Sequence, residues 1–168
     1  RQMEMGGNIK VFNHSSFGKE PIADINIKSS VLNPCEVTSA DVPNLIDELP
    51  ILFIASCFAE GTSSFIDIGE LKHKESNRLK AMQDGLDKMK IKNSLNGNIF
   101  CIEGLGKDYK SPYFLAETDY DHRIAMSFAI AGLNSDSSIE IASPECINTS
   151  FPEFIELGKK LGCNFEIS

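Results

Sequence analysis

Two strongly apolar segments decide the fold of this chain: PILFIASCFAE, residues 50–60, and IAMSFAIAGL, residues 124–133. Pro50 suits the first turn of a helix, where its missing N–H group is not needed, and Gly61 suits a C-cap. Apolar side chains cover nearly every side of the helical wheel in both segments, so neither helix offers a polar face to water. We therefore expect two helices that are buried on all sides, inside a layered α/β protein.

The sequence around these helices indicates an internal repeat. Asp47 lies just before the first apolar helix and Asp121 just before the second, 74 positions further on. Each apolar helix is followed by a β-like stretch, an amphipathic helix and a second strand-like segment. These segments are 63–68, 74–90 and 98–102 in the first copy, and 138–142, 152–161 and 164–167 in the second. The pattern therefore predicts two similar β/α units.

The N-terminal part of the chain reads as simpler structure. The pattern predicts the last turn of a helix at residues 1–5, stopped by Gly6-Gly7, and strands at 8–13 and 23–28. A chain that opens on the last turn of a helix is expected to be cut from a longer one.

The composition indicates which functions to exclude. Of the 168 residues, 42% are hydrophobic, and 16 basic against 24 acidic side chains give a net charge of −8. This apolar content predicts a globular core, and the negative charge disfavours nucleic acid or a membrane surface as a partner. The longest apolar run, 51–59, is shorter than the roughly 18 residues of a transmembrane helix. Five cysteines at irregular spacings predict reduced core thiols in a cytoplasmic protein, and we expect no metal and no cofactor.

The helix predicted from residue 74 combines charge with an apolar stripe, which consists of Leu79, Met82, Leu86 and Met89. On the helical wheel Glu75 falls within that stripe, and Arg78 lies one turn away. A charge run of this kind is usually a solvated helix face. A carboxylate that faces the core beside an arginine would instead be a buried ion pair or part of a site.

Cations near the predicted helix starts favour a site. Lys74, Arg78 and Arg123 stand where the positive end of the helix dipole repels cations, whereas Asp121 and Ser150 are explained as ordinary N-caps. Basic groups at such positions are reasonable when an anion lies between them. The sequence therefore predicts a focused site for small anions on an acidic chain.

Five sequence segments resemble motifs of one enzyme family, the 3-phosphoshikimate 1-carboxyvinyltransferases, also called 5-enolpyruvylshikimate-3-phosphate synthases. They are IDELPIL (46–52), FAEGTS (58–63), ELKHKESNRL (70–79), TDYDHRIAMSF (118–128) and TSFPEF (149–154). They occur in the order and spacing of the family, and the similarity covers essentially the whole chain. The related UDP-N-acetylglucosamine carboxyvinyltransferases share the fold but lack the pair KES.R and DHRIAM.

The resemblance implies an α/β protein of α+β layers, with repeated βαβαββ units and buried helices in the inside-out, barrel-like domain of enolpyruvyl transferases. Residues 1–168 would form part of a C-terminal domain, with about two of its three units at roughly 8–97 and 98–168. The N-terminal domain would be absent. The resemblance further implies that the partners are shikimate 3-phosphate, phosphoenolpyruvate and the missing N-terminal domain, and that the full-length enzyme is a monomer.

The resemblance also implies roles for individual residues. Asp47 would hydrogen-bond shikimate hydroxyls and take the 5-hydroxyl proton, with Glu70 and Lys74 as further ligands of shikimate 3-phosphate. Glu75 would exchange a proton with the methylene carbon, and its expected core-facing position would raise its pKa. Arg78 and Arg123 would bind phosphoenolpyruvate. His122 lies beside this pair and could be structural or catalytic.

Two positions depart from the family pattern. Thr149 stands where many members carry a lysine, so it is left out of the site. Asn77 replaces the usual aspartate, which should change a surface or neighbouring contact rather than the chemistry. Two alternatives stay open: a non-catalytic or truncated anion-binding domain, and a relative of the UDP-N-acetylglucosamine enzymes.

Overall fold

The strands form a hairpin, a four-stranded sheet and a two-stranded sheet in the computed structural model, which describes residues 3–166. The strands are β1 (Asn8–Phe17), β2 (Glu20–Lys28), β3 (Glu36–Val37), β4 (Glu60–Ile66), β5 (Asn93–Asn96), β6 (Ile99–Leu105), β7 (Phe114–Ala116) and β8 (Ile139–Ile141). The helices are α1 (Val42–Leu45), α2 (Leu49–Cys57), α3 (Arg78–Lys88), α4 (His122–Gly132) and α5 (Phe154–Lys160), with 3-10 helices at Ile68–His73 and Pro144–Thr149. None of the helices within residues 3–166 has the length and apolarity that a bilayer crossing requires.

The strand pairing confirms the repeated β/α architecture. In the larger sheet the order is β3-β4-β6-β5, with β3 parallel to β4 and the other pairs antiparallel. Helix α2 connects the two parallel strands, as α4 connects β7 to the parallel strand β8. The run β3-α2-β4-α3-β5-β6 is thus one βαβαββ unit over 36–105, and β7-α4-β8-α5 repeats its first four elements. The predicted boundary at 97/98 falls in the turn between β5 and β6, so we propose that the first unit extends to residue 105.

Helix α2 is buried, as predicted, but the expectation that the second apolar helix is buried on all sides is wrong, because α4 buries only part of its surface and Leu133 after it is exposed. In α2 only Ile51 and Ala55 are half-buried and the rest are buried, whereas six of the eleven residues of α4 are half-buried and none is exposed. Their buried serines are satisfied within the helix, because the Ser56 hydroxyl donates to the Leu52 carbonyl and that of Ser127 to the Arg123 carbonyl. Polar side chains of this kind do not open either helix to water.

The core lies between α2 and the larger sheet. The ring of Phe53 in α2 packs edge-on against Phe65 of β4 and Phe100 of β6, with centroid distances of 4.7 and 5.1 Å. Helices α3 and α4 also touch closely at one glycine. A Cβ atom added to Gly85 would lie 1.9 Å from Cζ of Phe128, so the contact between these helices requires glycine there.

The β1–β2 hairpin stands apart from this core. All its strand residues are exposed except Ile9, which is half-buried. Val11 pairs with Ile25 and Ile9 with Ile27, so these apolar side chains share one face. Ile25 and Ile27 are 62% and 69% exposed, which leaves that face uncovered.

Several predicted bounds are wrong. The helix expected at 74–90 begins at Arg78, and Asn77 is its N-cap, with a side chain that accepts a hydrogen bond from the Lys80 amide at 3.1 Å. Residues 164–166 form no strand, and Ile167 lies outside the described residues. Of the helix end expected at residues 1–5, positions 1 and 2 also lie outside the description, and residues 3–6 form a turn.

The five cysteines are free thiols, as predicted, but only Cys57 and Cys146 are buried. Burial raises the pKa of the Cys57 thiol, which donates a hydrogen bond to the Phe53 carbonyl at 3.2 Å. The expectation that all five line the core is therefore wrong.

Candidate active site

The residues predicted for the site converge around the N-terminal ends of α2 and α4. Asp47 precedes α2, Glu70 lies in the first 3-10 helix, and Lys74 and Glu75 belong to the turn that leads into α3. Arg78 is the first residue of α3 and Arg123 lies in the first turn of α4. Together with two residues that the sequence did not single out for the site, they form what we call the charged cluster: Asp47, Glu48, Glu70, Lys74, Glu75, Arg78, Asp121 and Arg123.

Arg78 is the centre of the charged cluster. Its side chain is 0% exposed, and each of its three nitrogens binds a different carboxylate. Nε donates to Asp121 at 2.7 Å, Nη1 to Asp47 at 2.9 Å, and Nη2 to Glu75 at 2.5 Å. Burial alone would lower the pKa of Arg78, but the hydrogen bonds to Asp121 and Asp47 and the negative charges of Asp121 and Glu75 outweigh it and leave the pKa raised, so the guanidinium stays ionised. Arg78 therefore holds three acidic groups at fixed spacing.

Asp121 is the fully buried partner of that arginine. Its Oδ2 accepts from Arg78 Nε and from the Ser76 hydroxyl at 3.1 Å, and its Oδ1 accepts from the Arg123 amide at 2.9 Å. The last bond is an N-cap, which was the role that the sequence predicted. The ion pair with Arg78 is an additional role, and it ties the start of α4 to the start of α3.

Asp47 lies about half-exposed between three cations. Partial burial raises the pKa of Asp47, but the Arg78 hydrogen bond and the positive charges of Lys74 and Arg123 outweigh it, leaving the pKa below its usual value. Lys74 Nζ lies 3.5 Å from Asp47 and 3.2 Å from Glu70. The hydrogen bond to Glu70 raises the pKa of Lys74, which desolvation only partly opposes. Both groups are thus charged at neutral pH.

Glu75 differs from the sequence prediction. We expected it to face the core from the helix that begins at Lys74, with burial raising its pKa. The helix starts four residues later because Asn77 caps it, so Glu75 lies on the preceding turn with its side chain 56% exposed. The buried position belongs to Arg78 instead, and the burial argument for Glu75 is wrong.

Arg123 crosses from α4 to the start of α2. Its Nη1 donates to the Asp47 carbonyl at 2.7 Å and to Glu48 Oε1 at 2.9 Å. His122 beside it is half-buried, and the Thr149 hydroxyl donates to the Cys146 carbonyl. The charged cluster therefore joins the equivalent ends of both repeat units.

Sequence reasoning missed Asp121 and Glu48 as members of the cluster. Asp121 carried a signal, since it matches Asp47 in the repeat, but capping alone explained it. Glu48 carried none, because an acidic residue beside a helix start is common. In all, three cations meet five carboxylates here, so an anionic ligand must find donor groups that these carboxylates leave open.

Comparison with known proteins identifies the class of this fold. The enolpyruvyl transferase NikO from Streptomyces tendae matches 95% of the chain with a TM-score of 0.66 at 17% identity. At this identity the match shows a shared fold and nothing more. The EPSP synthase of Acinetobacter baumannii matches 99% of the chain with a TM-score of 0.93 at 41% identity. The chain thus has the α/β enolpyruvyl transferase fold.

The sequence comparisons narrow this class to a family. The family described as EPSP synthase (3-phosphoshikimate 1-carboxyvinyltransferase) matches residues 2–157. Curated 3-phosphoshikimate 1-carboxyvinyltransferases from Zymomonas mobilis and Ruthia magnifica are 42% and 39% identical, each over 97% of the chain. The chain belongs to the EPSP synthase family, a family of transferases. It spans 37% of the length of these two relatives.

Proposed function

We propose that this chain supplies one wall of a site that transfers the enolpyruvyl group of phosphoenolpyruvate to the 5-hydroxyl of shikimate 3-phosphate, releasing phosphate. The observation that carries this proposal is the charged cluster, in which all six residues matched to family motifs lie within one connected network. The other wall is an N-terminal domain, and the complete enzyme is a cytoplasmic monomer that binds neither nucleic acid nor membrane.

The chemistry needs a base, an acid and fixed cations. In the proposal the 5-hydroxyl oxygen attacks C2 of phosphoenolpyruvate, its proton passes to Asp47, and Glu75 protonates the methylene carbon. Loss of a methyl proton and of phosphate from this tetrahedral intermediate then gives the product. Asp47 is ionised at neutral pH, which is the form that can accept a proton, and its lowered pKa makes it a weaker base than a free aspartate.

The substrates carry the negative charge that the three cations can bind. We assign shikimate 3-phosphate to Asp47, Glu70 and Lys74, and phosphoenolpyruvate to Arg78 and Arg123. Because Arg78 is fully buried among three carboxylates, we expect an anion to reach its guanidinium only after Glu75 turns away from Nη2. The exposed position of Glu75 on a turn is compatible with that movement.

A hybrid enzyme tests the proposal. This chain replaces the matching segment of the Acinetobacter baumannii EPSP synthase, and phosphate release is followed with both substrates. We expect turnover that requires shikimate 3-phosphate. A hybrid that unfolds cooperatively and yet fails to turn over would contradict the proposed function. The chain by itself should release no phosphate, because half of the cleft is missing, and measurable release would contradict that part.

Glu75→Gln in the hybrid tests the acid. It should lower kcat by at least ~10² with little change in the KM of either substrate, the scale of acid–base catalysis. The control is Glu156→Gln in α5, where Glu156 pairs at 2.6 Å with Lys160 on the surface. Unchanged kcat in Glu75→Gln would remove Glu75 from the mechanism.

A further inference from the structure

Arg123 is anchored through a single nitrogen. Nη1 of a guanidinium carries two hydrogens, and here one goes to the Asp47 carbonyl and the other to Glu48 Oε1. One bond would leave the guanidinium free to rotate about it. Two bonds from the same nitrogen fix the plane of the group.

The opposite edge of the same guanidinium is open. Nε and Nη2 of Arg123 hydrogen-bond to no residue within 3–166, and the side chain is 27% exposed. Two parallel N–H groups on one edge match the two oxygens of a carboxylate or a phosphate. Arg78 offers no such open edge, because its guanidinium is buried among three carboxylates.

We propose that Glu48 is a positioning residue that holds Nη1 of Arg123, so that the Nε–Nη2 edge presents itself to an anion. This rests on the proposed function for the identity of that anion, the carboxylate or phosphate group of phosphoenolpyruvate. The anchoring itself is a property of this chain. It also reaches between the repeat units, since Glu48 precedes α2 and Arg123 lies in α4.

A positioning role for Glu48 and simple charge repulsion by Glu48 predict opposite effects on anion binding when this residue is replaced. A carboxylate near an anion site repels the anion, so loss of its charge alone would strengthen binding. Loss of the anchor would weaken binding, because a mobile arginine must be ordered when the anion binds. Glu48→Gln keeps an acceptor oxygen without the charge, whereas Glu48→Ala removes both.

Side-chain NMR tests the anchor without any substrate. The chain has only three arginines, at positions 1, 78 and 123, so the three Nε signals can be assigned by arginine-to-lysine substitution. In Glu48→Ala the heteronuclear NOE at Arg123 Nε, which reports picosecond to nanosecond motion, should fall while that of Arg78 stays high. Glu48→Gln should resemble the parent chain. An unchanged NOE at Arg123 in Glu48→Ala would overturn the proposal.

Kinetics of the hybrid enzyme test the consequence. Glu48→Ala should raise the KM for phosphoenolpyruvate about tenfold while kcat and the KM for shikimate 3-phosphate stay within about twofold. Glu48→Gln and the surface control Glu156→Ala should stay near the parent. An equal rise for both substrates, or none, would overturn the positioning role. An inactive but folded parent hybrid would instead contradict the proposed function, and the NOE would still decide the anchor.

Discussion

Arg78 and Asp121 form an ion pair in which neither side chain is exposed. Removing one partner of such a pair leaves a buried charge without compensation, which costs about 3–5 kcal/mol. We expect Asp121→Ala to lower the free energy of unfolding by about that amount in urea titrations. Asp121→Asn should cost less, because the amide oxygen can still cap α4.

Glu156→Ala provides the comparison for that pair. Glu156 and Lys160 lie 2.6 Å apart but are both exposed, and such pairs contribute about 1 kcal/mol or less. Equal losses in Asp121→Ala and Glu156→Ala would show that the buried pair does not stabilise the fold.

Asp47 makes a pH-dependent contribution to stability. Its pKa is lower in the folded chain than in the unfolded one, so its contribution is present above the unfolded value of about 3.9 and is lost as the pH falls through the folded value. Asp67 behaves in the same direction, because hydrogen bonds from Ser39 and Asn98 lower its pKa. The Tm measured in thermal melts should therefore decrease as the pH is lowered below about 4.

Asp47→Asn checks this assignment. The variant should lose less Tm than the parent chain between neutral pH and pH 3, since one of the two responsible carboxylates no longer titrates. Identical pH profiles would mean that Asp47 has the same pKa in both states.

At the scale of elements, the contact between α3 and α4 depends on Gly85. Alanine normally favours a helix over glycine by about 1 kcal/mol, but its Cβ would collide with Phe128. The ring also packs edge-on against Phe114 at a centroid distance of 5.6 Å, so moving it aside would disturb a second contact. Gly85→Ala should destabilise the chain by about 1–3 kcal/mol in urea titrations.

Two further variants make this prediction specific. Phe128→Leu should remove most of the additional cost of Gly85→Ala in the double variant, because the colliding ring atoms are absent. Gly132→Ala in α4 is the control, since its Cβ would lie 3.6 Å from Ile139, at ordinary contact distance. If Gly85→Ala is as stable as Gly132→Ala, the close approach is not a constraint.

The elements also indicate what sequence could and could not predict. The burial of α2 followed from apolar side chains on all sides, which is a local property. The start of α3 could not be predicted in the same way. On the helical wheel the apolar stripe of residues 79–89 continues back to Glu75, so the pattern itself shows no start. In the structure Asn77 caps the helix, and Arg78 is its first residue. The family motifs pointed to six residues of the charged cluster. Asp121 and Glu48 could not be found in this way, because their membership depends on which helix ends lie next to each other. Contacts between helix ends are set by tertiary packing and not by local pattern.

At the scale of the whole molecule, the β1–β2 hairpin has hydrogen bonds between its own two strands but buries few side chains in the core. Segments with few buried apolar contacts open at low free energy, independently of global unfolding. Hydrogen exchange should therefore proceed at least about a hundredfold faster at the paired amides of β1 and β2 than at those of β4 and β6. Mass spectrometry of peptic fragments can compare the two sets. Equal protection would mean that the hairpin opens only together with the core.

The uncovered face of the hairpin also gives salt two opposing effects on this chain. Added sulfate strengthens the burial of apolar surface, so it favours contact between the faces of two molecules that carry Val11, Ile25 and Ile27. The same salt screens the exposed part of the charged cluster, where Arg123 meets Glu48. Low ionic strength is therefore the condition under which the chain stays dispersed and its arginine anchor is at full strength.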